Sequence, residues 1–313
     1  MGGYNHLFVT DMVDAATDYV NEGEAFDETG RPANVGRPWR LMARFDVPVA
    51  TTYVGVSWIH PTVEPALWVH SHVHEASDEV LFWLGSNPAA PGDLGGEAYF
   101  DLAGERHVLT TTTAVFIPRR HWHCPLGWQH VERGFRFISL DLSPAYESVN
   151  DKDLAGGAAA AVPPPGGPPA PGTSYEHLFV KDPASDGALV GPGGAAVYPL
   201  MTRAAVPETT LQAWLTWVGP EHAGVGWDHE EVHTEADELL IWLGSDPADE
   251  KALGAALTVE IEGEAHTVTT TGAVFIPKGL RHRVLGAHEI ARPFSFLAVL
   301  LDRYPGTEAE VVA

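Results

Sequence analysis

The two halves of the sequence repeat each other at a constant offset of 159 residues. The stretch 84–86 (LGS) returns at 243–245, and the stretch 114–118 (AVFIP) returns unchanged at 273–277. A duplication that keeps its register places equivalent residues at equivalent positions, so the two halves are predicted to share one fold. A chain of 313 residues is long enough for two domains that each bury a core.

A stretch rich in Pro and Gly separates the halves at 153–174 and predicts a semi-extended linker. We therefore expect one domain at 1–152 and a second at 175–313. Inside each half, short apolar or alternating segments such as VLFWLG and FRFISLDL are bounded by Gly, Pro or Asn-Pro. This pattern of short apolar segments separated by turn residues predicts an all-β fold of the sandwich or barrel type.

One segment breaks the constant offset. The motif at 4–9 (YNHLFV) returns at 175–180 (YEHLFV) with an offset of 171, so the first half carries twelve extra residues between about 12 and 38. Because this insertion is polar and acidic, we expect it to be a surface excursion.

The charge balance narrows the range of partners. With 18 Lys and Arg against 42 Asp and Glu, the net charge is −24, which repels phosphate backbones and anionic membrane surfaces. We therefore expect a small-molecule substrate, no nucleic acid and no membrane. A single cysteine, Cys124, excludes an intramolecular disulfide and a thiolate cluster. The N-terminus has no leader pattern, which favours a cytoplasmic location.

Sixteen histidines are distributed unevenly, and several concentrate in the stretch 68–79 (WVHSHVHEASDE). Residues 70, 72 and 74 share parity, so on a strand their imidazoles point to one side. His123 follows a separate apolar segment and supplies another imidazole. Imidazole and carboxylate are the only ligand types left for a metal in this chain, and they suit divalent transition metals better than Ca or Mg.

This spacing of histidines and a glutamate, followed about forty residues later by a proline and a further histidine, resembles the two signature motifs of the cupin superfamily. Two copies resemble a bicupin, which implies two tandem jelly-roll β-barrels joined by the Pro/Gly-rich linker. The resemblance implies that His72, His74, Glu79 and His123 bind one divalent metal. The chain departs from the family pattern at Ala66, Arg120 and Gly127, which are turn or secondary positions rather than ligands.

The second copy carries a different set. Glu231 stands where the first half has His72, while His233, Glu238 and His282 keep their places. Two carboxylates would neutralise a divalent ion, whereas the first set leaves a net charge near +1. The second half either holds a metal through these four residues, with His229 as a substitute for Glu231, or serves as a scaffold.

Several neighbours of the ligands allow two interpretations each. His70 and His121 either line the first pocket as acid or base groups or lie in solvent at the barrel mouth. Cys124 is expected to be buried and inert, facing away from His123 on an extended chain. His107 and His266 follow hairpin-like turns and are expected at the surface.

The bicupin resemblance supports three classes of function. The first is a mononuclear non-haem iron dioxygenase, similar to quercetinase-like bicupins, that acts on a small chelating, aromatic or enolic substrate with Glu79 as the base. Fe(II) is the expected metal, with Mn, Ni, Co, Cu or Zn as alternatives. The second class is a metal-dependent decarboxylase, isomerase or cyclase that consumes no oxygen. The third is a non-catalytic binding or storage protein. A homodimer is compatible with each.

Overall fold

The structure, a computed structural model, describes residues 3–19, 30–150, 174–184, 187–191, 194–227 and 230–301. The strands of the first half are Phe8–Val9 (β1), Val13–Asp14 (β2), Trp39–Met42 (β3), Tyr53–Ile59 (β4), Ala66–Val69 (β5), His72–Val73 (β6), Glu79–Gly85 (β7), Asp93–Leu102 (β8), Glu105–Thr111 (β9), Thr113–Ile117 (β10), His123–Val131 (β11), Phe135–Asp141 (β12) and Val149–Asn150 (β13). The strands of the second half are Phe179–Lys181 (β14), Leu189–Val190 (β15), Ala196–Met201 (β16), Gln212–Val218 (β17), Asp237–Gly244 (β18), Ala252–Ile261 (β19), Glu264–Thr270 (β20), Gly272–Ile276 (β21), His282–His288 (β22) and Phe294–Leu301 (β23).

Three-residue 3₁₀ turns lie at Asn5–Leu7, Glu176–Leu178 and Pro220–His222, and no α-helix is present among the described residues. None of them is long and apolar enough to span a bilayer. The predicted all-β class is therefore confirmed. The predicted linker at 153–174 lies outside the described residues except for Ser174.

The chain forms two compact units, each built mainly from one half. The first unit comprises the described residues of Val13–Ala43 and Thr51–Asp182, and the second comprises those of Met1–Met12, Arg44–Ala50 and Pro183–Ala313. In the first unit a seven-stranded antiparallel sheet has the order β14-β10-β7-β12-β4-β3-β2. A second sheet has the order β13-β6-β11-β8-β9, with β5 also paired to β11.

The second unit repeats the larger sheet and has a shorter version of the smaller one. Its seven-stranded sheet has the order β1-β21-β18-β23-β17-β16-β15, and its smaller sheet has the order β20-β19-β22. In both units the strands pair antiparallel and non-consecutive strands are neighbours, which is the jelly-roll pattern that the sequence predicted.

The two sheets of the first unit face each other across an aromatic core. Trp83 on β7 meets Phe100 on β8 with ring centroids 5.3 Å apart, and Phe137 on β12 lies 5.2 Å from Trp68 on β5. These rings are buried because alternate residues of each strand point inward. The core adjoins the predicted metal ligands, since the Phe100 ring lies 6.2 Å from the His123 ring.

The domain boundaries predicted at 1–152 and 175–313 need a correction at their ends. The repeated motif YxHLFV does not stay with its own half: β1 pairs with β21 in the second unit, and β14 pairs with β10 in the first. Each motif is a 3₁₀ turn followed by an edge strand, and we call these segments, 4–9 and 175–181, the two arms.

The arms also explain why the expectation for His107 and His266 is wrong. The hairpin before His107 is present, with positive φ at Ala103 and Gly104. However, His107 is buried because Phe179 of an arm stacks on its ring at 4.1 Å and Glu176 contacts its Nδ1 at 3.0 Å. An equivalent arm residue, Asn5, contacts His266 at 2.9 Å in the second unit.

Candidate metal centre

Four predicted ligands of the first half meet between the two sheets of the first unit. His72 on β6 and His123 on β11 are paired neighbours in the smaller sheet, whereas Glu79 opens β7 of the larger sheet. His74 follows β6 and completes the group. All four are buried, with 1% to 3% of each residue exposed, and one ligand atom from each lies within 4.8 Å of the others.

Backbone carbonyls fix the orientation of the three imidazoles. In each ring Nδ1 lies at hydrogen-bond distance from a main-chain oxygen, so Nδ1–H donates and the Nε2 lone pair is directed at the common centre. The contacts are His72 to His70 O at 2.9 Å, His123 to His121 O at 2.9 Å and His74 to Glu147 O at 2.6 Å.

His70 and His121 therefore act through their main chains. Neither imidazole lines the cavity described below, and His70 is exposed. His121 turns its own Nδ1 to the Pro118 carbonyl at 3.1 Å. In the second half Leu280 replaces His121, and its carbonyl still contacts a ligand ring. The prediction of an acid or base role for these two side chains has no geometric support.

Several nitrogen and oxygen atoms that face the centre of the group lack hydrogen-bond partners in the described part of the chain, and a cation would satisfy them. Nε2 of His74, Nε2 of His123 and Oε2 of Glu79 are buried and have no hydrogen-bond partner among the described residues. Glu79 Oε2 lies 3.5 Å from His74 Nε2 and 3.2 Å from His123 Nε2. Buried lone pairs without partners are costly, and a divalent ion bound by nitrogen and carboxylate oxygen would satisfy all of them at once.

The electrostatics of the group suit this role. Burial and the neighbouring His72 lower the pKa of His123 to about 4, so its ring is neutral. Burial opposes ionisation of Glu79, but His74 and His123 outweigh it and lower the pKa of this carboxyl. Burial also opposes a charge on His74, yet Asp141 and Glu79 raise its pKa to about 10. Without a cation, the group therefore keeps a proton on His74, which a bound metal would displace.

Asp141 is a functional candidate that sequence reasoning missed. It lies opposite Glu79 in the β12–β7 register, is fully buried, and accepts a hydrogen bond from the Ser77 hydroxyl at 3.1 Å. Its Oδ1 is 3.5 Å from His74 Nδ1, and burial raises its pKa to about 7. When ionised, this second carboxylate cancels the residual charge of +1 expected for the first site. Its counterpart in the second half is Leu300.

A cavity of about 20 Å³ adjoins three of the predicted ligands, His72, Glu79 and His123. This volume accommodates the centres of one or two water-sized groups. Its walls are mainly apolar, and the polar exceptions are the two tyrosines Tyr19 and Tyr146 with Ser139. Cys124 also lines the cavity: it is buried as expected, but its φ of 63° breaks the extended geometry that should have turned it away from His123.

The second group is more open. One ligand atom from each of Glu231, His233, Glu238 and His282 lies within 4.8 Å of the others. Glu238 Oε2 is 2.6 Å from His282 Nε2 and 3.6 Å from His233 Nε2. The side chains of His233 and Glu231 are 23% and 30% exposed, in contrast to the buried first group. His229, the substitute ligand, lies outside the described residues.

Contacts with both carboxylates control protonation in this second group. Glu231 and Glu238 raise the pKa of His233 to about 10. Burial opposes ionisation of Glu238, but His233 and His282 lower its pKa. The four residues could hold a divalent ion, and their charge would neutralise it.

Comparison with known proteins shows a similarity of fold to solved structures of one enzyme. No protein-family model and no curated protein matches the sequence. Solved structures of oxalate decarboxylase from Bacillus subtilis do match. One of these structures, from work on the Mn(II) centres of that enzyme, has a TM-score of 0.55 and 14% sequence identity. The match covers 88% of this chain and 75% of the enzyme chain. Another, determined at pH 4.6, has a TM-score of 0.53 at 15% identity and covers 89% and 75%.

The chain has a bicupin fold. The likeness extends over both units, because nearly nine tenths of the chain is matched. At 13% to 15% identity it concerns the fold alone, and activity must be argued from the site. Within the bicupin fold, each unit brings the four residues of its own two cupin-like motifs together.

Proposed function

We propose that this bicupin is a metal-dependent decarboxylase that acts at the first site on a small carboxylate without consuming oxygen. The observation that carries the proposal is a buried three-histidine, one-glutamate group beside a cavity of about 20 Å³. The space beside these residues is narrow, which favours a small acid over the aromatic substrates expected of a dioxygenase. Oxalate decarboxylase from Bacillus subtilis, one of the proteins with a matching fold, acts on such an acid.

The choice of metal follows from the same ligand set. Three imidazole nitrogens and one carboxylate oxygen are acceptable to Mn, Fe, Co, Ni, Cu and Zn, so they give Fe(II) no preference. Mn(II) centres are named for the Bacillus subtilis enzyme. We therefore propose Mn(II) in place of the expected Fe(II), held by His72, His74, Glu79 and His123.

The chain's own residues supply orientation and proton transfer. When bound, the metal would hold the substrate carboxylate and withdraw charge from it. Tyr146 directs its hydroxyl toward this space, 3.5 Å from His72 Nε2, and can donate a hydrogen bond to a bound anion. Leu81 and Phe137 also line the cavity, and their apolar side chains lower the local dielectric constant, which strengthens these polar contacts.

Decarboxylation breaks one carbon–carbon bond. CO₂ leaves, the bonding electron pair stays on the remaining carbon, and that carbon takes a proton. The Tyr146 hydroxyl is positioned to give this proton and to recover it from solvent. No electron is gained or lost overall, so the reaction requires neither oxidant nor reductant.

The test uses the full chain loaded with Mn(II) or Fe(II) and acids of two to four carbons. We expect one equivalent of CO₂ per substrate without net oxygen uptake, and loss of turnover in His123→Ala. The control is Arg106→Ala, because Arg106 lies at the surface and pairs with Asp101. Oxygen uptake equal to substrate consumption would establish the dioxygenase instead. Protein that binds no transition metal would overturn both and favour a binding or storage role.

A further inference from the structure

The insertion that distinguishes the two halves delivers a tyrosine to the first cavity. The connection from β2 to β3 covers positions 15–38, whereas the equivalent connection from β15 to β16 covers only 191–195. Tyr19 lies in the longer connection. It was expected in a surface excursion, yet it is 4% exposed and lines the cavity beside the ligands.

Tyr19 and Tyr146 form one side of the cavity, which we call the tyrosine wall. Their ring centroids are 4.6 Å apart at an angle of 64°, and Tyr146 is also 5.3 Å from the His74 ring. The Tyr19 hydroxyl lies 3.3 Å from Ser139 Oγ. Burial raises the pKa of Tyr19, so this hydroxyl remains neutral and adds no charge to the wall.

The underlying sheet has a slot that accommodates Tyr19. Gly55 on β4 and Ser139 on β12 are cross-strand partners, and both are small. A Cβ atom added to Gly55 would overlap the Tyr19 hydroxyl oxygen, so only glycine leaves room for the tyrosine in this position. The space above Gly55, the hydrogen bond with Ser139 and the long connection therefore all fix the position of Tyr19.

Among the described residues of the second unit, neither the long connection nor the glycine of this arrangement is present. Its cross-strand pair at the same positions is Trp214 and Ala298, so a large side chain of the strand itself replaces glycine. Its ligand group is also the more exposed one. The tyrosine wall is thus a feature of the first unit, where the buried ligand group lies.

We propose that Tyr19 is a specificity-determining residue that restricts the first metal site to small anions. This inference rests on the proposed function for its carboxylate substrate, but the restriction itself concerns size. Removing the ring enlarges the space next to the ligands, whereas removing only the hydroxyl does not. The two substitutions Tyr19→Ala and Tyr19→Phe therefore separate volume from hydrogen bonding.

The test measures anion binding and needs no turnover. The full chain is loaded with Mn(II), and acetate, oxalate, succinate and benzoate are titrated while the Mn(II) electron paramagnetic resonance spectrum is recorded. We expect the wild type and Tyr19→Phe to prefer acetate and oxalate over benzoate. Tyr19→Ala should bind benzoate at least about tenfold more tightly than the wild type does, with oxalate affinity changed by less than about threefold.

Two controls keep the test decisive. Tyr99→Ala removes a buried tyrosine of the same unit that does not line the cavity, and it should leave the size preference unchanged. Gly55→Ala should displace Tyr19 and alter the preference while the residue at 19 is unchanged. If Tyr19→Ala fails to fold, Tyr19→Leu gives the same comparison.

The outcomes separate this inference from the proposed function. A size preference that is identical in wild type and Tyr19→Ala, with Mn(II) still bound, overturns the role of Tyr19. Absence of any spectral change with all four anions also overturns it. A preference that shifts as expected supports it, even if no acid is decarboxylated and the proposed reaction fails.

Discussion

Replacing His74 and, separately, its counterpart His233 with alanine removes one imidazole from each of two equivalent groups. A four-ligand site is worth about 10–16 kcal/mol of binding free energy, so one ligand contributes about 3 kcal/mol, or about a hundredfold in Kd. The His74 side chain is 2% exposed, and water has little access to the vacant position. We expect the full hundredfold loss of affinity there.

The second site should respond less. The His233 side chain is 23% exposed and its neighbour Glu231 30%, so a water molecule can occupy the position that the imidazole leaves. The remaining two carboxylates would also attract a divalent ion by their charge. We therefore expect a loss of only about tenfold in Kd for His233→Ala.

The assay combines chelator competition with elemental analysis of dialysed protein and a CO₂ measurement. His74→Ala should lose one metal equivalent and all turnover, whereas His233→Ala should retain turnover and weaken only the second equivalent. Equal weakening by both substitutions would refute the argument from exposure. Loss of turnover in His233→Ala with the first-site metal intact would move the chemistry to the Glu231 site.

Three further outcomes are expected. The pKa of His74 is raised to about 10, so its contribution to the stability of the metal-free protein is complete below about pH 6.5 and is lost as the pH rises toward 10. Over the same range the affinity for Mn(II) should increase, because the metal displaces the proton. If the free energy of unfolding and the Mn(II) affinity change with pH in the same direction, this prediction is contradicted. Asp141→Leu, which introduces the residue found at 300 in the second half, should weaken metal binding about tenfold, as measured by chelator competition. The loss should be no larger, because His74 keeps its hydrogen bond to a main-chain carbonyl, and an unchanged Kd would refute the role of Asp141. Phe179→Ala should lower the free energy of unfolding by about 3 kcal/mol in chemical denaturation, whereas Phe45→Ala, at an exposed position, should leave it nearly unchanged.

The grouping of the four residues in space could be predicted because its information is local. His72 and His74 share parity on one short segment, Glu79 opens the next strand, and the motif is present twice. The duplication also predicted a shared fold, since the strands of the larger sheet recur in the same order in both units. In these respects the spacing of residues in the sequence directly determines which residues lie close together in the fold.

The features that escaped prediction depend on contacts between distant segments. Asp141 is an ordinary strand residue until the β12–β7 register places it beside the ligands. Tyr19 lies in an acidic insertion whose composition indicates only solvent exposure. His107 becomes buried because an arm from the other half covers it. No local period marks any of these positions.

The exchange of arms has a consequence for synthesis on the ribosome. The first unit needs β14 to complete the edge of its larger sheet, and β14 ends at Lys181, beyond the whole first half. During translation the buried group of four candidate ligands can form earlier, yet β10 presents an unpaired edge until the arm leaves the exit tunnel. A nascent chain stalled before residue 175 should therefore be cleaved by protease within the first unit, and one extended past Lys181 by the length of the tunnel should resist cleavage.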